Sequence, residues 1–353
     1  ISKRVSCRII NLDMMAEGKG ENLACLLKKR PVGAPSVEET FEIQKVAKPS
    51  LSEDGQVLIR ILMISVDPYM RGRMNDNKSY FTAPFEVGKP LSGGVAAEVV
   101  ESRSADLKPG DKVLGFLPWL KYLVVAANTL RKLDTSVVPL EKYLSSAGYS
   151  GLSSYLPIKY IAAPKAGETV FVTGGAGAVG SCACQIFFSY GCKVISCAGS
   201  AEKVKWLQDL GIEAFNYKEC ALEDALMKFC PKGIDIYWDN VGGEMLETTL
   251  NHMNNFGRVV CCGMISQYNK APKDRYGIKN LFLVVTKRLK LQGFIMSDYN
   301  EEQRVAATKE LIRLICGGKL KTTETIMNGF EKVPEAFCGL FTGKNLGKML
   351  VKI

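Results

Sequence analysis

The sequence predicts an α/β protein in two parts: a β-rich domain of short strands, and a doubly wound parallel sheet from which the tail of the chain returns to the first part. Three observations carry this. An apolar run at 170–173 (VFVT), β-branched at three of its four positions, breaks into glycines and then into a small, apolar stretch without a breaker. From about residue 145 onward, strand-like runs alternate with helix-like ones, as parallel strands with crossover helices require. Before that point, short strand patterns are punctuated by Gly and Pro, as in an antiparallel, partly closed β-domain. The expected division is residues 1–145, completed by 317–353, and residues 146–316.

The elements follow in order. Strand patterns run over 56–66 and 91–100, and the Pro109-Gly110 turn leads into another at 111–115. Six strands are then expected at 169–173, 193–198, 214–217, 234–238, 258–263 and 289–295, with helices between them, such as 201–210 and 243–253. A helix over 301–316 stops at Gly317-Gly318. The tail carries a strand, a short helix over 333–342 and a last strand over 347–353.

Composition narrows the class. A chain of 353 residues can build two domains with sizeable cores, and 47% hydrophobic with 23% charged residues is a globular balance. No apolar run reaches about 18 residues, so no membrane span is expected. The first ten residues, ISKRVSCRII, lack the apolar segment and cleavage site of a secretory signal. The chain starts at Ile1, which leaves open a segment removed ahead of it. The twelve cysteines include no C-x-x-C, so reduced thiols and a cytoplasmic location are expected rather than disulfides or a zinc ribbon. The single histidine, His252, lies after a predicted helix and away from every glycine turn. It reads as a surface or packing residue, and no metal site is expected. The net charge of +10 is dispersed and not interleaved with aromatics, which describes a solvated basic surface rather than a nucleic-acid face.

The stretch 174–180 (GGAGAVG) supplies the chemistry. Gly175-Ala176-Gly177-Ala178-Val179-Gly180 fits G-x-G-x-x-G between a strand and a helix, the context in which that pattern binds a dinucleotide. Gly175 is expected to permit the tight turn, Gly177 to admit a pyrophosphate, and Gly180 to let the helix press on the strand. The helix N-terminus offers free N–H groups. An NAD site places Asp or Glu at the end of the second strand. Here Gly199-Ser200-Ala201-Glu202-Lys203 offers a hydroxyl and a cation, and Asn216-Tyr217-Lys218 follows at the third strand, so the expected cofactor is NADPH.

A ligand crevice lies beyond the carboxyl ends of such strands. Three turns there carry polar chemistry: 239–243 with Asn240, 262–269 with Tyr268, and 293–296. Asn240 could bond a ribose or an amide. Tyr268, a donor at neutral pH, suits a developing oxyanion, the alternative being a packing tyrosine. One isolated histidine builds no Ser/His/Asp or Cys/His nucleophile.

On these residues the chain resembles the zinc-independent medium-chain dehydrogenase/reductases, in the branch of prostaglandin reductases and NADP-dependent alkenal double-bond reductases. The carriers are VDPYMRGRM at 66–74, the turn 175–180, GSAEKV at 199–204, FNYK at 215–218, DNVGG at 239–243, CGMISQYN at 262–269 and NLGK at 345–348. The resemblance implies a GroES-like β-domain plus a Rossmann domain, and reduction by NADPH of a C=C bond conjugated to a carbonyl. It implies that Gly177, Ala178, Val179 and Gly180 meet the pyrophosphate, and that Lys203 and Tyr217, beside Ser200, meet the 2′-phosphate. It further implies that Asn240, the run Cys262, Gly263, Met264, Ile265, Ser266, Gln267 and Tyr268, then Phe294, Ile295, Met296 and Asn345 line the rest of the cofactor. Tyr268 and a ribose hydroxyl would stabilise an enolate. Tyr69 is a second pocket candidate or a strand-end packing residue. Arg71 and Arg73 either attract a carboxylate-bearing substrate or form surface pairs. The chain departs from the family at Gly148-Tyr149-Ser150-Gly151 and at Phe116-Leu117-Pro118-Trp119-Leu120, both expected to touch the substrate pocket. A possible homodimer is implied. The alternatives are a quinone oxidoreductase and a catalytically weak NADPH-binding protein with an RNA or protein partner.

Overall fold

The computed structural model describes residues 17–76 and 82–353. The N-terminal segment read above lies outside them. In chain order, β1 (Glu17–Leu27), the single turn α1 (Val37–Thr40) and β2 (Phe41–Pro49) precede β3 (Gln56–Ser65) and the turn α2 (Met70–Arg73). Strands β4 (Ser92–Ser102), β5 (Lys112–Pro118), β6 (Tyr122–Ala126) and β7 (Arg131–Lys132) lead to α3 (Leu140–Leu144) and α4 (Tyr149–Pro157).

The second half alternates: β8 (Thr169–Val172), α5 (Ala178–Ser189), β9 (Lys193–Ala198), α6 (Ala201–Asp209), β10 (Glu213–Asn216), α7 (Leu222–Phe229), β11 (Ile234–Asp239), α8 (Glu244–His252) and β12 (Met253–Cys261). The turn α9 (Leu283–Thr286), β13 (Lys290–Gly293) and α10 (Glu301–Cys316) complete it. The tail holds β14 (Glu324–Asn328), α11 (Val333–Gly339) and β15 (Lys348–Lys352).

β3 is the spine of the first domain, and Val57, Ile59, Ile61 and Ile64 on it are fully buried. One edge pairs with β4. The other is shared, its first half by β6 and its end by β15, both antiparallel. β14 then adds in parallel to β15, so the sheet runs β14-β15-β3-β4-β5-β7. β1 and β2 form a separate antiparallel pair against it. The core beneath combines both halves of the sequence: Val57, Ile59, Leu91 and Trp119 pack with Phe330, Phe337 and Met349.

The second sheet is parallel with order β10-β9-β8-β11-β12-β13. Its sequence order is therefore 3-2-1-4-5-6, the dinucleotide-binding arrangement whose switch point lies between β8 and β11. Both faces of the central strands are covered, which explains their apolar runs. Phe171 on one face stacks on Phe215 and Tyr237, and Trp238 on the other meets Phe187 edge-on. β12 starts earlier than the sequence suggested, at Met253. Its register shifts opposite Ile234–Ile236, and Phe256 within it takes φ +63°. Among the described residues no helix is long and apolar enough to cross a membrane.

Candidate active site

The carboxyl ends of the six parallel strands converge on one edge, and the glycine turn opens it. Gly174, not Gly175, makes the left-handed turn, with φ +64°. Gly175 is constrained by proximity instead: a Cβ there would lie 1.8 Å from Ser196 Oγ on β9. A Cβ on Gly180 would lie 2.3 Å from the carbonyl of Gly174, so α5 does press on the strand end. Gly177 differs, because the same atom would meet only the Gly174 carbonyl, at 3.2 Å. Its outer face is open, and it precedes a twelve-residue helix with no side-chain cap. The first amides of α5, at Ala178, Val179 and Gly180, lack the i−4 helical carbonyls that later turns have. A steric cradle with an open face and free amides fits a pyrophosphate. Ala176 and Gly177 are also tied to the tail, since Gly347 N–H donates to the Ala176 carbonyl at 2.8 Å.

A cationic corner stands at the ends of β9 and β10. Ser200 caps α6 by accepting from Lys203 N–H at 3.4 Å. Lys203 Nζ reaches the Gly343 carbonyl at 2.7 Å. A Cβ on Gly199 would come within 2.9 Å of Tyr217 Oη and 3.3 Å of Lys218 Cε, so these side chains crowd the same spot. Burial, then the neighbouring Lys218 ammonium, pushes the Lys203 pKa down. Two cations that raise each other's energy, flanked by a phenol, suit a dianion such as a 2′-phosphate.

Beyond β11 the chain turns sharply around a buried carboxyl. Asp239 is fully buried. Its Oδ1 accepts from Tyr237 Oη (2.8 Å), Val241 N–H (2.9 Å) and Gly242 N–H (2.8 Å). Burial pushes its pKa up against these hydrogen bonds. Sequence reading passed over this residue, although a lone acid ending a buried strand before Gly-Gly was a usable signal. The Asn240 side chain is used internally: Nδ2 donates to the Thr173 carbonyl (2.7 Å), and Oδ1 accepts from Trp238 Nε1 (3.3 Å). It clips β8 to β11 across the switch point and keeps one N–H for a ligand.

The loop after β12 lies against that turn. Cys262 and Gly263 N–H donate to the Asp239 carbonyl, Ile265 N–H to that of Asn240, and Ser266, by N–H and hydroxyl, to that of Val241. Gln267 braces it from behind, donating to Ser266 Oγ and accepting from Tyr276 N–H. Burial pushes the Cys262 thiol up to about 12, so it is no nucleophile at neutral pH. Tyr268 folds back over this loop, and its Oη accepts from Met264 N–H at 3.1 Å. Burial is the largest cause raising the Tyr268 pKa, and the Met264 N–H works against it. With one lone pair occupied by Met264, the phenol keeps its own hydrogen to donate.

The remaining predicted residues divide. Phe294 packs on Trp238, with ring centroids 6.1 Å apart, and Ile295 N–H is taken by Asp298. Met296 is buried in the core of the parallel-sheet domain. Asn345 Nδ2 donates to the Gly347 carbonyl and shapes the tail beside the glycine turn. Tyr69, half-buried, precedes α2 and packs on the first domain's core.

Arg71 and Arg73 lie inside the fold rather than at its surface. The Arg73 guanidinium stacks 3.9 Å from the Phe85 ring centroid and donates to the Ala83 and Ser92 carbonyls. Arg71 runs from the first domain to Asn269, beside Tyr268, with Nε 3.0 Å from Asn269 Oδ1. Trp119 does not reach a pocket either: it is fully buried in the first domain's core, and of its motif Phe116 reaches the surface. Gly148 and Gly151 serve the backbone, because a Cβ at either would lie about 2 Å from the Tyr143 or Ser146 carbonyl. Tyr149 between them stays 61% exposed. Among the described residues no group of three or more His, Cys, Asp or Glu is placed to hold a metal. His252 lies 2.9 Å from Glu223 Oε1, at the end of α8 where β12 begins, opposite the carboxyl strand ends that build the site.

Comparison with known proteins gives this arrangement a family. Residues 24–133 match the family described as the N-terminal domain of oxidoreductase, and residues 178–312 the family described as zinc-binding dehydrogenase. A putative NADP-dependent oxidoreductase, YfmJ, of Bacillus subtilis is 45% identical over 93% of this chain and 96% of its own. The NADP(+)-dependent 2-alkenal reductase of Nicotiana tabacum is 39% identical over 94% and 97%. The crystal structure of CurA from Vibrio vulnificus in complex with NADPH superposes with a TM-score of 0.86 at 33% identity, covering 94% of this chain and 98% of CurA. The chain belongs to the medium-chain dehydrogenase/reductase family, among its NADP-dependent oxidoreductases.

Proposed function

We propose that this protein uses NADPH to reduce C=C bonds conjugated to a carbonyl, in alkenals, enones and 15-oxo-prostaglandin-like lipids. The observation that carries the reading is the phenol of Tyr268, held by Met264 N–H at the edge where the glycine turn and the Asp239–Gly243 turn meet. The relatives' activities support it, since one of them is a 2-alkenal reductase.

Bound NADPH supplies the hydride, with its ribose hydroxyl as a second donor. The chain's own residues do the rest. The amides of Ala178–Gly180 and the Lys203–Tyr217–Lys218 corner hold the phosphates. Tyr268 Oη donates to the substrate carbonyl. As the β-carbon accepts the hydride, negative charge moves to that oxygen, and a donor already in place costs no reorganisation there. A proton taken up at the α-carbon completes the reduction, so the substrate gains one hydride and one proton. Tyr69 of the first domain and Tyr149, exposed at the start of α4, are the pocket walls of this reading.

Two further readings belong with this one. The described cysteines are all free, which supports a reducing, cytoplasmic setting. β13 is an edge strand, and the exposed Phe256, Phe282 and Val285 precede it in the chain, which supports a homodimer through this face. Sedimentation of the purified chain as a monomer at micromolar concentration would remove the dimer.

The test is the loss of NADPH absorbance, with NADH as control, against a 2-alkenal, an aryl enone, a 15-keto prostaglandin and a quinone. Turnover of the enone or alkenal is expected, with Tyr268→Phe lowering kcat by about 10²–10³-fold, the effect of losing one oxyanion donor. Binding of NADPH without reduction of any panel member overturns the reading, and fastest turnover of the quinone moves the substrate to that class.

A further inference from the structure

Arg71 is an unusual buried cation. Only 3% of it is exposed, and its hydrogen-bond partners among the described residues are all neutral: Asn269 Oδ1 at Nε (3.0 Å), Asn75 Oδ1 at Nη1 (2.7 Å), and the Pro31 and Gly33 carbonyls at Nη2 (3.2 and 2.8 Å). A buried guanidinium without a carboxylate is costly to keep for stability alone. Its fork is rigid and planar, so fixing two arms aims the third. Two arms are fixed in the first domain, by the loop carrying Pro31 and Gly33 and by Asn75 just after α2. The third alone crosses to the parallel-sheet domain, and it ends on the residue next to Tyr268.

The Tyr268 loop needs such an anchor. Residues Ile265–Gln267 form a single 3-10 turn, and the chain from Lys270 to Arg275 is exposed. The bonds to Asp239, Asn240 and Val241 hold the loop's first half. At its far end, Asn269 is fixed by Arg71.

We infer that Arg71 is a positioning residue, which through Asn269 locks the Tyr268 loop against the first domain and so sets the placement of the Tyr268 hydroxyl. This rests on the reading of Tyr268 as the oxyanion donor. Tyr268 touches the substrate; Arg71 and Asn269 act through it. Misplacement of a reacting group by about 1 Å can cost on the order of 100-fold in rate, which is the scale available to this contact.

The experiment uses Asn269→Ala, Asn269→Asp, Tyr268→Phe and the double variant Tyr268→Phe/Asn269→Ala in the full chain. Asn269→Ala is expected to lower kcat by about ten- to 100-fold. Its enone KM and its NADPH Kd, by calorimetric titration, are expected to stay within about twofold. Without NADPH, amide hydrogen exchange over residues 264–269 is expected to quicken. Asn269→Asp keeps an acceptor for Arg71 and is expected to restore both kcat and exchange protection. The double variant is expected to be no slower than Tyr268→Phe alone, because residues acting as a unit are not additive. If Asn269→Ala keeps full kcat while Tyr268→Phe is crippled, the lock is overturned and the donor reading stands. Failure of Asn269→Asp to rescue, or full additivity in the double variant, also overturns the lock. Full kcat in Tyr268→Phe removes the donor reading, and the positioning role with it.

Discussion

Lys348 Nζ lies 2.9 Å from Asp67 Oδ1, and the lysine side chain is 3% exposed. The same ammonium donates to the Val66 and Met349 carbonyls, and Asp67 also accepts from Ser65 Oγ. One ion pair therefore pins the segment that leads into Tyr69 and Arg71 to the last strand of the sheet. The two partners are unequal, because Asp67 is 21% exposed and Lys348 is enclosed. Asp67→Asn strands a buried ammonium and is expected to cost about 3 kcal/mol. Lys348→Met leaves a carboxylate that water reaches, fills the space with a side chain of similar shape, and is expected to cost less. Denaturant midpoints of the two variants give the order, and a larger loss in Lys348→Met contradicts it.

The glycines of the turn separate folding from binding. Gly175→Ala drives a methyl into Ser196, a fully buried residue whose hydroxyl already donates to the Val172 carbonyl. It is expected to destabilise by about 1–3 kcal/mol, the range for overpacking a filled core. Gly177→Ala meets nothing closer than 3.2 Å and has an ordinary φ of −83°. Its thermal midpoint without cofactor is expected to match the parent, while its NADPH Kd rises at least about tenfold, since the methyl occupies the face a pyrophosphate needs. Thermal melts with and without NADPH separate the two effects.

Lys203 sets the choice between cofactors. Lys203→Glu replaces a cation with a carboxylate beside Tyr217 and Lys218. Loss of a charge-assisted bond to phosphate is worth about 1.5–3 kcal/mol, or roughly ten- to 150-fold in Kd for NADPH. NADH lacks the phosphate and is expected to bind nearly as before. Equal loss for both cofactors would place Lys203 outside the 2′-phosphate corner.

The pH profile follows from the direction of the Tyr268 shift. Burial raises its pKa above the ordinary value near 10, so the hydroxyl stays protonated, and able to donate, throughout the neutral and mildly alkaline range. The profile of kcat is expected to hold level through the neutral and mildly alkaline range and to fall only above the ordinary tyrosine value of about 10, as the phenolate forms. Tyr268→Phe is expected to lose that alkaline fall. A limb centred near pH 8 that disappears in Tyr268→Phe would mean a lowered pKa, and an environment opposite to the one described.

What the sequence made legible was local. Thr169–Val172 and Lys193–Ala198 announce buried strands by short, mostly apolar runs, and the glycines after Val172 allow few structures. The cationic corner was legible as well, because Ser200, Lys203 and Tyr217 sit at strand ends where the fold fixes their direction. Other outcomes depended on partners remote in the chain. Arg71 finds Asn269 198 positions away, and no spacing near PYMRGR announces it. Trp119 could be assigned to the core only once the tail had supplied Phe330 and Phe337. The Asn240 amide was committed by the Thr173 carbonyl on another strand. Periodicity reports which face of an element is buried, but not which distant side chain meets a polar atom there.

The place of β15 governs how the protein can be made. Leu350 pairs with Ser65, and Val351 with Ile64, so the end of β3 waits for almost the whole chain before its edge is covered. At a synthesis rate of about 5–20 residues per second, that interval is on the order of 15–60 s. During it, the nascent first domain carries an apolar strand end with unpaired backbone groups, the kind of edge that recruits a neighbouring chain. The parallel-sheet domain lies between these two segments in sequence and can fold in the meantime. A ribosome stalled just short of residue 348 would thus hold a nearly finished nucleotide-binding half beside an adhesive sheet with one edge open, a state in which chaperone capture competes with aggregation.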